Sequence, residues 1–325
     1  MKLLKYIGTM LLVTALSVSG QNKPPKKIIS GVLIKDDGKY NRVLFVGATR
    51  TEVFYKDNLQ GVVTKRSRIT EFSGIFMFDP WLYREAKELF EGRKYEEALE
   101  RFIECKEVFK PFRTLENNYS DMAAFYELEC YRKLKKYADI DKTLQLFISD
   151  KLTRPSMQTQ LEVYKLWQAV NAKNWARLNI LCNEWREKRV AVGIRAQIAY
   201  CHGLALEGLG QNSKALNSYA TAMTADFTKS DVIVREAALN SLRIFSEDEG
   251  LKTAVMLWEK PEEDKNTVGY ARLKEANALA RIYDKANMGA GVALPAKYKK
   301  FQDYTTPEML EKIKEKEEAA KEDSK

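Results

Sequence analysis

The sequence predicts a mainly α protein: a right-handed α-α solenoid of about five helical hairpins, preceded by a small antiparallel β-module. Three observations predict it. Residues 28–72 hold short runs rich in β-branched and aromatic side chains separated by turn residues. At Pro80 the apolar period changes to that of a helix and stays so to about Lys285. Within that stretch one arrangement of small and aromatic residues returns hairpin after hairpin.

A targeting segment precedes both parts. Lys2 and Lys5 form a positive n-region, and residues 7–18 are apolar apart from Gly8, Thr9, Thr14 and Ser17. Ser17, Ser19 and Gly20 supply small residues for cleavage. The stretch is shorter than the roughly 20 residues a membrane-spanning helix needs. Residues 1–20 therefore read as a signal peptide, cleaved near Gly20 or Gln21, and the mature chain is expected to be exported, periplasmic or extracellular. No cysteine stands at the junction to carry a lipid. Residues 21–27 form a polar linker containing Lys23, Pro24, Pro25, Lys26 and Lys27.

The β-module is placed at residues 28–76, with strands at 28–34, 42–46, 51–55, 61–64 and 68–72. Asp36-Asp37-Gly38, Gly47 and Asp57-Asn58 with Gly61 supply the turns. A unit of roughly 45 residues is near the lower limit for an independent core. Its strand count and spacing resemble the small SH3-like or Sm-like barrels.

The helical part is placed at residues 79–286. Asp79 is an N-cap, Pro80 suits the first helical position, and Trp81, Ala86, Leu89 and Phe90 begin an apolar stripe. The pairs are 81–91 with 95–109, 121–134 with 138–149, 157–171 with 175–188, 194–209 with 213–225, and 232–246 with 249–260. A last helix covers 266–285. In the first pair Ala86, Leu89, Tyr95, Ala98, Leu99, Phe102 and Cys105 hold the places that Gly203, Leu206, Asn212, Ala215, Leu216, Tyr219 and Ala222 hold in the fourth. Leu128, Tyr131, Tyr137, Ile140, Leu144 and Phe147 follow the frame more loosely, as do Leu166, Ala169, Trp175, Leu178, Cys182 and Trp185.

That frame, a small residue in the first helix and then aromatic-x-x-Ala-Leu-x-x-aromatic in the second, resembles the tetratricopeptide (TPR) repeat. Small residues at Ala86, Ala98, Gly203 and Ala215 would let the two helices of a hairpin approach, with Phe102 and Tyr219 filling the gap toward the next. The counterpart positions Tyr95, Tyr137, Trp175, Asn212 and Leu251 stand farther apart than the ~34 residues of the standard repeat. An irregular superhelix is expected. Residues 287–325 read as a loop carrying Gly289, Gly291 and Pro295, a basic-aromatic segment around Tyr298 and Phe301, and a charged, solvated tail.

Composition bounds the chemistry. The net charge of +9 favours anionic neighbours such as phospholipid headgroups, acidic glycans or acidic protein faces. Export makes nucleic acid an unsuitable partner. Cys105, Cys130, Cys182 and Cys201 lie among apolar residues at helical spacing and read as core filling, although the oxidising compartment permits disulfides. The single histidine, His202, adjoins Cys201, and adjacent helical residues face different ways, so no metal pair forms there. The sequence has no H-E-x-x-H, G-x-S-x-G or Walker motif. Gly208-Leu209-Gly210 follows a helix and fits a hairpin turn. No catalytic residue, cofactor or metal is expected.

The expectation is a non-catalytic scaffold of the bacterial-type cell envelope that binds a protein partner along its concave face. In TPR arrays the first helix of each pair lines that face. The resemblance thus nominates Phe125, Glu129, Arg132, Val163, Trp167, Tyr200, Leu204 and Glu207 as a partner groove. The paired Lys and Asn of the family's carboxylate clamp are not matched. One alternative is a binder of anionic glycan or membrane surface through Lys23 to Lys27, Lys65-Arg66 and Arg68, and Arg132 to Lys136. Another is an unrecognised hydrolase.

Overall fold

The computed structural model describes residues 29–147, 150–305 and Glu311. The predicted signal peptide and linker, Ile28, the end of the helix predicted at 138–149 and the predicted charged tail from Thr306 lie outside the described residues, apart from Glu311. The chain divides into two compact units, at residues 29–82 and 83–305.

The first unit is a five-stranded antiparallel sheet: β1 (Ile29–Ile34), β2 (Tyr40–Ala48), β3 (Glu52–Lys56), β4 (Lys65–Arg68) and β5 (Gly74–Met77), in the order β4-β3-β2-β1-β5. Alternation puts Ile29, Leu33, Val43, Phe45 and Val53 on the buried face. Gly31 is required there, because a Cβ would lie 2.5 Å from Cε2 of Phe45 on the neighbouring strand. The strand predicted at 61–64 is a loop, since Val62, 92% exposed, finds nothing to pack on. The partner of β3 is instead the polar β4, held by Arg66 to Glu52 (2.7 Å) and Lys65 to Asp57 (2.6 Å). The stretch predicted as a strand at 68–72 turns as a 3-10 helix, Ile69–Glu71, before β5.

The second unit is helical: α1 (Trp81–Glu91, which begins at the boundary), α2 (Tyr95–Val108), α3 (Tyr119–Lys133), α4 (Tyr137–Leu146), α5 (Pro155–Asn171), α6 (Trp175–Arg186), α7 (Val192–Gly208), α8 (Asn212–Ala225), α9 (Asp231–Glu247), α10 (Glu249–Leu257), α11 (Val268–Lys285) and α12 (Ala296–Lys299). Tyr95, Tyr137, Trp175 and Asn212, aligned from the sequence, each open the second helix of a hairpin. The four turns before them close identically. Arg93, Lys135, Lys173 and Gly210 take positive φ. The next N–H, of Lys94, Lys136, Asn174 or Gln211, reaches back to the carbonyl of Leu89, Tyr131, Ala169 or Leu206 at 2.8–3.0 Å. This is a Schellman stop, which satisfies carbonyls left open by the ending helix. The fifth pair differs. Only Asp248 separates α9 from α10, and its carboxylate accepts from the Leu251 N–H at 2.9 Å.

Odd-numbered helices pack on one another in order. Tyr83 of α1 meets Tyr119 of α3 edge-on at 5.0 Å, Tyr164 of α5 donates to Glu129 of α3 at 2.6 Å, and α5, α7, α9 and α11 follow side by side. Even-numbered helices α2, α4, α6 and α8 pack on the odd helix that follows each. The seams hold small residues: Ala86, Ala98 and Ala215 are fully buried, and a Cβ on Gly203 would lie 2.5 Å from Tyr219. Residues 288–304, predicted as a loop and a basic-aromatic segment, contribute to the core. Met288, Leu294, Tyr298 and Phe301 are buried against α9 and α11, and Asn277 donates to the Phe301 carbonyl at 2.8 Å. Glycines and lysines there disguised four apolar anchors.

Candidate functional site

The groove predicted from repeat register is not an open surface. Phe125, Val163, Trp167 and Tyr200 are buried, Trp167 to 2% exposure, and Leu204 is half-buried against the same core. Trp167 stands in a ladder of rings, 5.2 Å from Tyr137 and 6.0 Å from Tyr200, and its Nε1–H donates to Gln197 at 2.9 Å. Gln160 and Gln197 exchange hydrogen bonds beside it. The polar nominees are also occupied. Arg132 holds Glu129 at 2.6 Å, while Glu207 accepts from Tyr219 at 2.9 Å and pairs with Arg243 at 2.5 Å.

The reason is closure of the odd-helix side on itself. Lys133, at the end of α3, meets Asp231, at the start of α9, at 2.8 Å, and both are only 8% exposed. Tyr95 donates to the same carboxylate at 3.4 Å and Arg93 approaches it at 3.7 Å. Lys135 reaches Glu236 at 3.0 Å. The positive-φ residues of the first two turns, Arg93 and Lys135, thus both supply pairs to α9. Burial alone would raise the Asp231 carboxyl, yet Lys133 and Arg93 hold it below its usual value. Burial and Arg132 depress the Lys133 ammonium, against the opposing pull of Asp231. Burial likewise works against the Glu129 carboxylate, and Arg132 with Tyr164 reverses it to a lowered pKa. The basic runs named from the sequence are therefore largely neutralised: Arg132 and Lys133 are buried in ion pairs, and Lys65 and Arg66 are paired on the sheet. Lys23 to Lys27 lie outside the described residues.

An open site exists elsewhere in the unit, between α6 and α8 over α7. It is a cleft of ≈ 650 Å³, within the usual range for a ligand site. Helical periodicity builds it. Leu178, Cys182 and Trp185 bury one face of α6, which turns Asn179, Asn183 and Arg186 toward the cleft. Ala215, Tyr219 and Ala222 do the same in α8 and present Lys214, Asn217, Ser218 and Thr221. Arg195, Ile198, Ala199, His202 and Leu206 make the floor along α7. Four cations line the cleft, Arg186, Lys188, Arg195 and Lys214, and no Asp or Glu does. None of the four forms an ion pair among the described residues. Their bonds are to neutral groups: Arg186 to Asn183 at 3.5 Å, Lys214 to Gln211 at 3.0 Å, and Lys188 over the Trp185 ring at 3.9 Å.

His202 ties the three helices together, with Nε2 3.1 Å from Asn179 Oδ1 and Nδ1 3.1 Å from Ser218 Oγ. Asn179 Oδ1 can only accept, so Nε2 carries the proton and Nδ1 accepts from the serine hydroxyl. Burial first, and Arg186 second, lower the His202 pKa, favouring the neutral ring. The order Ser218–His202–Asn179 is that of a nucleophile, base and orienting group. Ser218 and His202 both lie inside continuous helices, where backbone N–H groups are already bonded, and a neutral Asn adds no charge to hold an imidazolium. The four cysteines are buried free thiols, and burial pushes Cys182 up to about 12. Among the described residues no group of three or more His, Cys, Asp or Glu is placed to hold a metal, and no helix is long and apolar enough to cross a membrane.

Sequence reasoning missed the cleft because its cations are dispersed along the chain and form no run. The legible signal was narrower: carboxylate-free polar stripes at helical spacing in two helices that flank a third. Comparison with protein-family models, curated proteins and solved structures finds no match to this chain.

Proposed function

We propose that this chain is a non-catalytic protein-protein interaction scaffold of a bacterial-type cell envelope, with a right-handed TPR-like solenoid as its helical unit and its partner seated between α6 and α8. The observation that carries the reading is the cleft itself, where four cations without an ion-pair partner among the described residues line an open volume while the odd-helix side is closed by paired charges. Identical Schellman turns in four successive hairpins support the solenoid. The strand order, with β1 between β2 and β5, agrees with an SH3-like or Sm-like barrel. Export rests on the residues of the first segment alone.

The test is site-specific photo-crosslinking in envelope extract. A crosslinker at Asn217 should give a stoichiometric protein adduct, and one at the exposed Lys252 should not. The double variant Arg186→Glu, Arg195→Glu should lose the adduct with its fold intact. Adducts indifferent to position would refute the cleft as the docking place. N-terminal sequencing should begin near Gln21, and an intact Met1 in a cytosolic fraction would refute export. Labelling of Ser218 by a serine-directed acylating probe would refute the non-catalytic reading. The same cations favour an anionic glycan as the second reading, which glycan binding without a protein adduct would promote.

A further inference from the structure

We propose that the cleft takes an extended acidic polypeptide segment, with its carboxylates gathered where Arg186, Lys188 and Arg195 converge. The inference rests on the protein-binding reading and specifies its partner. The charges are unevenly placed. Arg186 ends α6, Lys188 follows in the connection, and Arg195 lies in the first turn of α7, so three cations share one end of the cleft. The N-terminus of α7 is not part of this surplus, because the Asp226 carboxylate already stands beside Gly193 in its first turn. Lys214, in the first turn of α8, stands with Leu206 at the other end. From Arg195 to Leu206 the floor runs about 16 Å at the helical rise, a length matched by about five residues of extended chain.

Hydrogen-bonding capacity selects the ligand further. The side-chain N–H groups of Asn179, Asn183 and Asn217 have no acceptor among the described residues, whereas Oδ1 of Asn179 and of Asn183 is engaged by His202 and Arg186. Together with the four cations this lining is rich in donors and poor in acceptors. A peptide bearing carboxylates offers the complement, one backbone carbonyl per residue plus acceptor-only side chains. A glycan brings hydroxyl donors that need acceptors, and it favours an open aromatic face. The one aromatic lining residue, Trp185, is buried and covered by Lys188.

The test uses fluorescence anisotropy on the full chain at low salt. The probe is dye-labelled hexaglutamate with acetyl and amide ends, beside blocked hexaserine and an oligogalacturonate. Hexaglutamate should bind saturably and weaken as sodium chloride rises. Binding should fall at least ~10-fold in Arg186→Glu, Arg195→Glu, and clearly in Lys214→Glu, but not in Lys252→Glu. Circular dichroism checks the fold, and all four positions are exposed. Absence of hexaglutamate binding, or binding indifferent to the arginines, overturns the inference. Hexaserine binding as tightly as hexaglutamate overturns the acidic preference and leaves the protein-binding reading standing. Oligogalacturonate binding through the same arginines, with hexaglutamate excluded, overturns both.

Discussion

Two regions of the helical unit use charge in opposite ways. Between α3 and α9, Lys133 and Asp231 are taken out of water together, joined by Arg93 and Tyr95. Between α6 and α8, Arg186, Lys188, Arg195 and Lys214 line a cleft to which no carboxylate among the described residues contributes. Charges that are buried and paired fix a structure, because removing one leaves the other without compensation. Charges that are solvated and unpaired cost the fold little and remain free for another molecule. Exposure and pairing, rather than the count of basic residues, separate the closed face from the proposed recognition surface here.

The strongest way to break this comparison is to remove one side of it. Asp231→Ala would strand Lys133 in a buried site and should cost about 3–5 kcal/mol. Trp167→Ala would empty a ring ladder and should cost about 3–5 kcal/mol as well. Arg186→Ala should stay within about 0.5 kcal/mol of the parent. Chemical denaturation of the three variants decides the matter. A near-neutral Trp167→Ala would return that residue to the groove nominated from repeat register.

A smaller effect sharpens the seam itself. Ala215 is fully buried where α8 crosses α7, so Ala215→Leu should overpack the pair and cost about 1–3 kcal/mol. Its neighbour Lys214, on the cleft side, should tolerate Ala within about 0.5 kcal/mol. Equal melting shifts for the two would mean that the helix faces are misassigned.

The two regions also differ in pH response. Asp231 and Glu129 have lowered pKa values in the fold, so their contribution is present above the ordinary carboxylate range and is lost as pH falls through the folded values. His202 is lowered as well, and its neutral ring suits the fold. Stability from it is complete above its ordinary value of 6.5 and is lost as pH falls below that toward the folded value. Urea melts across pH should therefore show a shallow loss starting near neutrality, abolished in His202→Gln, and a steeper acid loss reduced in Asp231→Asn, the remainder belonging to Glu129. A His202→Gln profile identical to the parent would remove the histidine from the account.

Local order was the most legible part of the sequence. Tyr95, Tyr137, Trp175 and Asn212 were aligned from residue types alone and each begins a helix, because the small and aromatic residues around them are dictated by contacts within one hairpin. What depends on distant chain was hidden. Trp167 and Tyr200 became core through neighbours on other helices, and the odd-helix side closed through pairs such as Lys133 with Asp231. The cleft needed three helices to be placed before Arg186 and Lys214 could face one space. Val62 and Val63 misled in the opposite direction, since β-branched residues read as strand without any partner to pack on.

The smallest effect tests the element that the hairpins share. Lys173 holds φ 51° in the turn before α6, and its side chain is exposed, whereas Arg93 and Lys135 in equivalent turns serve as ion-pair partners. The left-handed conformation costs an ordinary L-residue about 1–2 kcal/mol. Glycine relieves that strain but loses about 0.5–1 kcal/mol more conformational freedom on folding. Lys173→Gly should therefore stabilise by about 0.5 kcal/mol, whereas Lys173→Val, branched at Cβ, should destabilise by about 1–2 kcal/mol. Gly210, with φ 73° in the fourth turn, should lose about 1 kcal/mol on change to Ala. Denaturation midpoints that rank Gly above Lys above Val at residue 173, and Gly above Ala at 210, would confirm one turn geometry in both hairpins. A valine as stable as glycine at 173 would show that the third hairpin turns differently, and with it α6, the wall that carries Asn183 and Arg186.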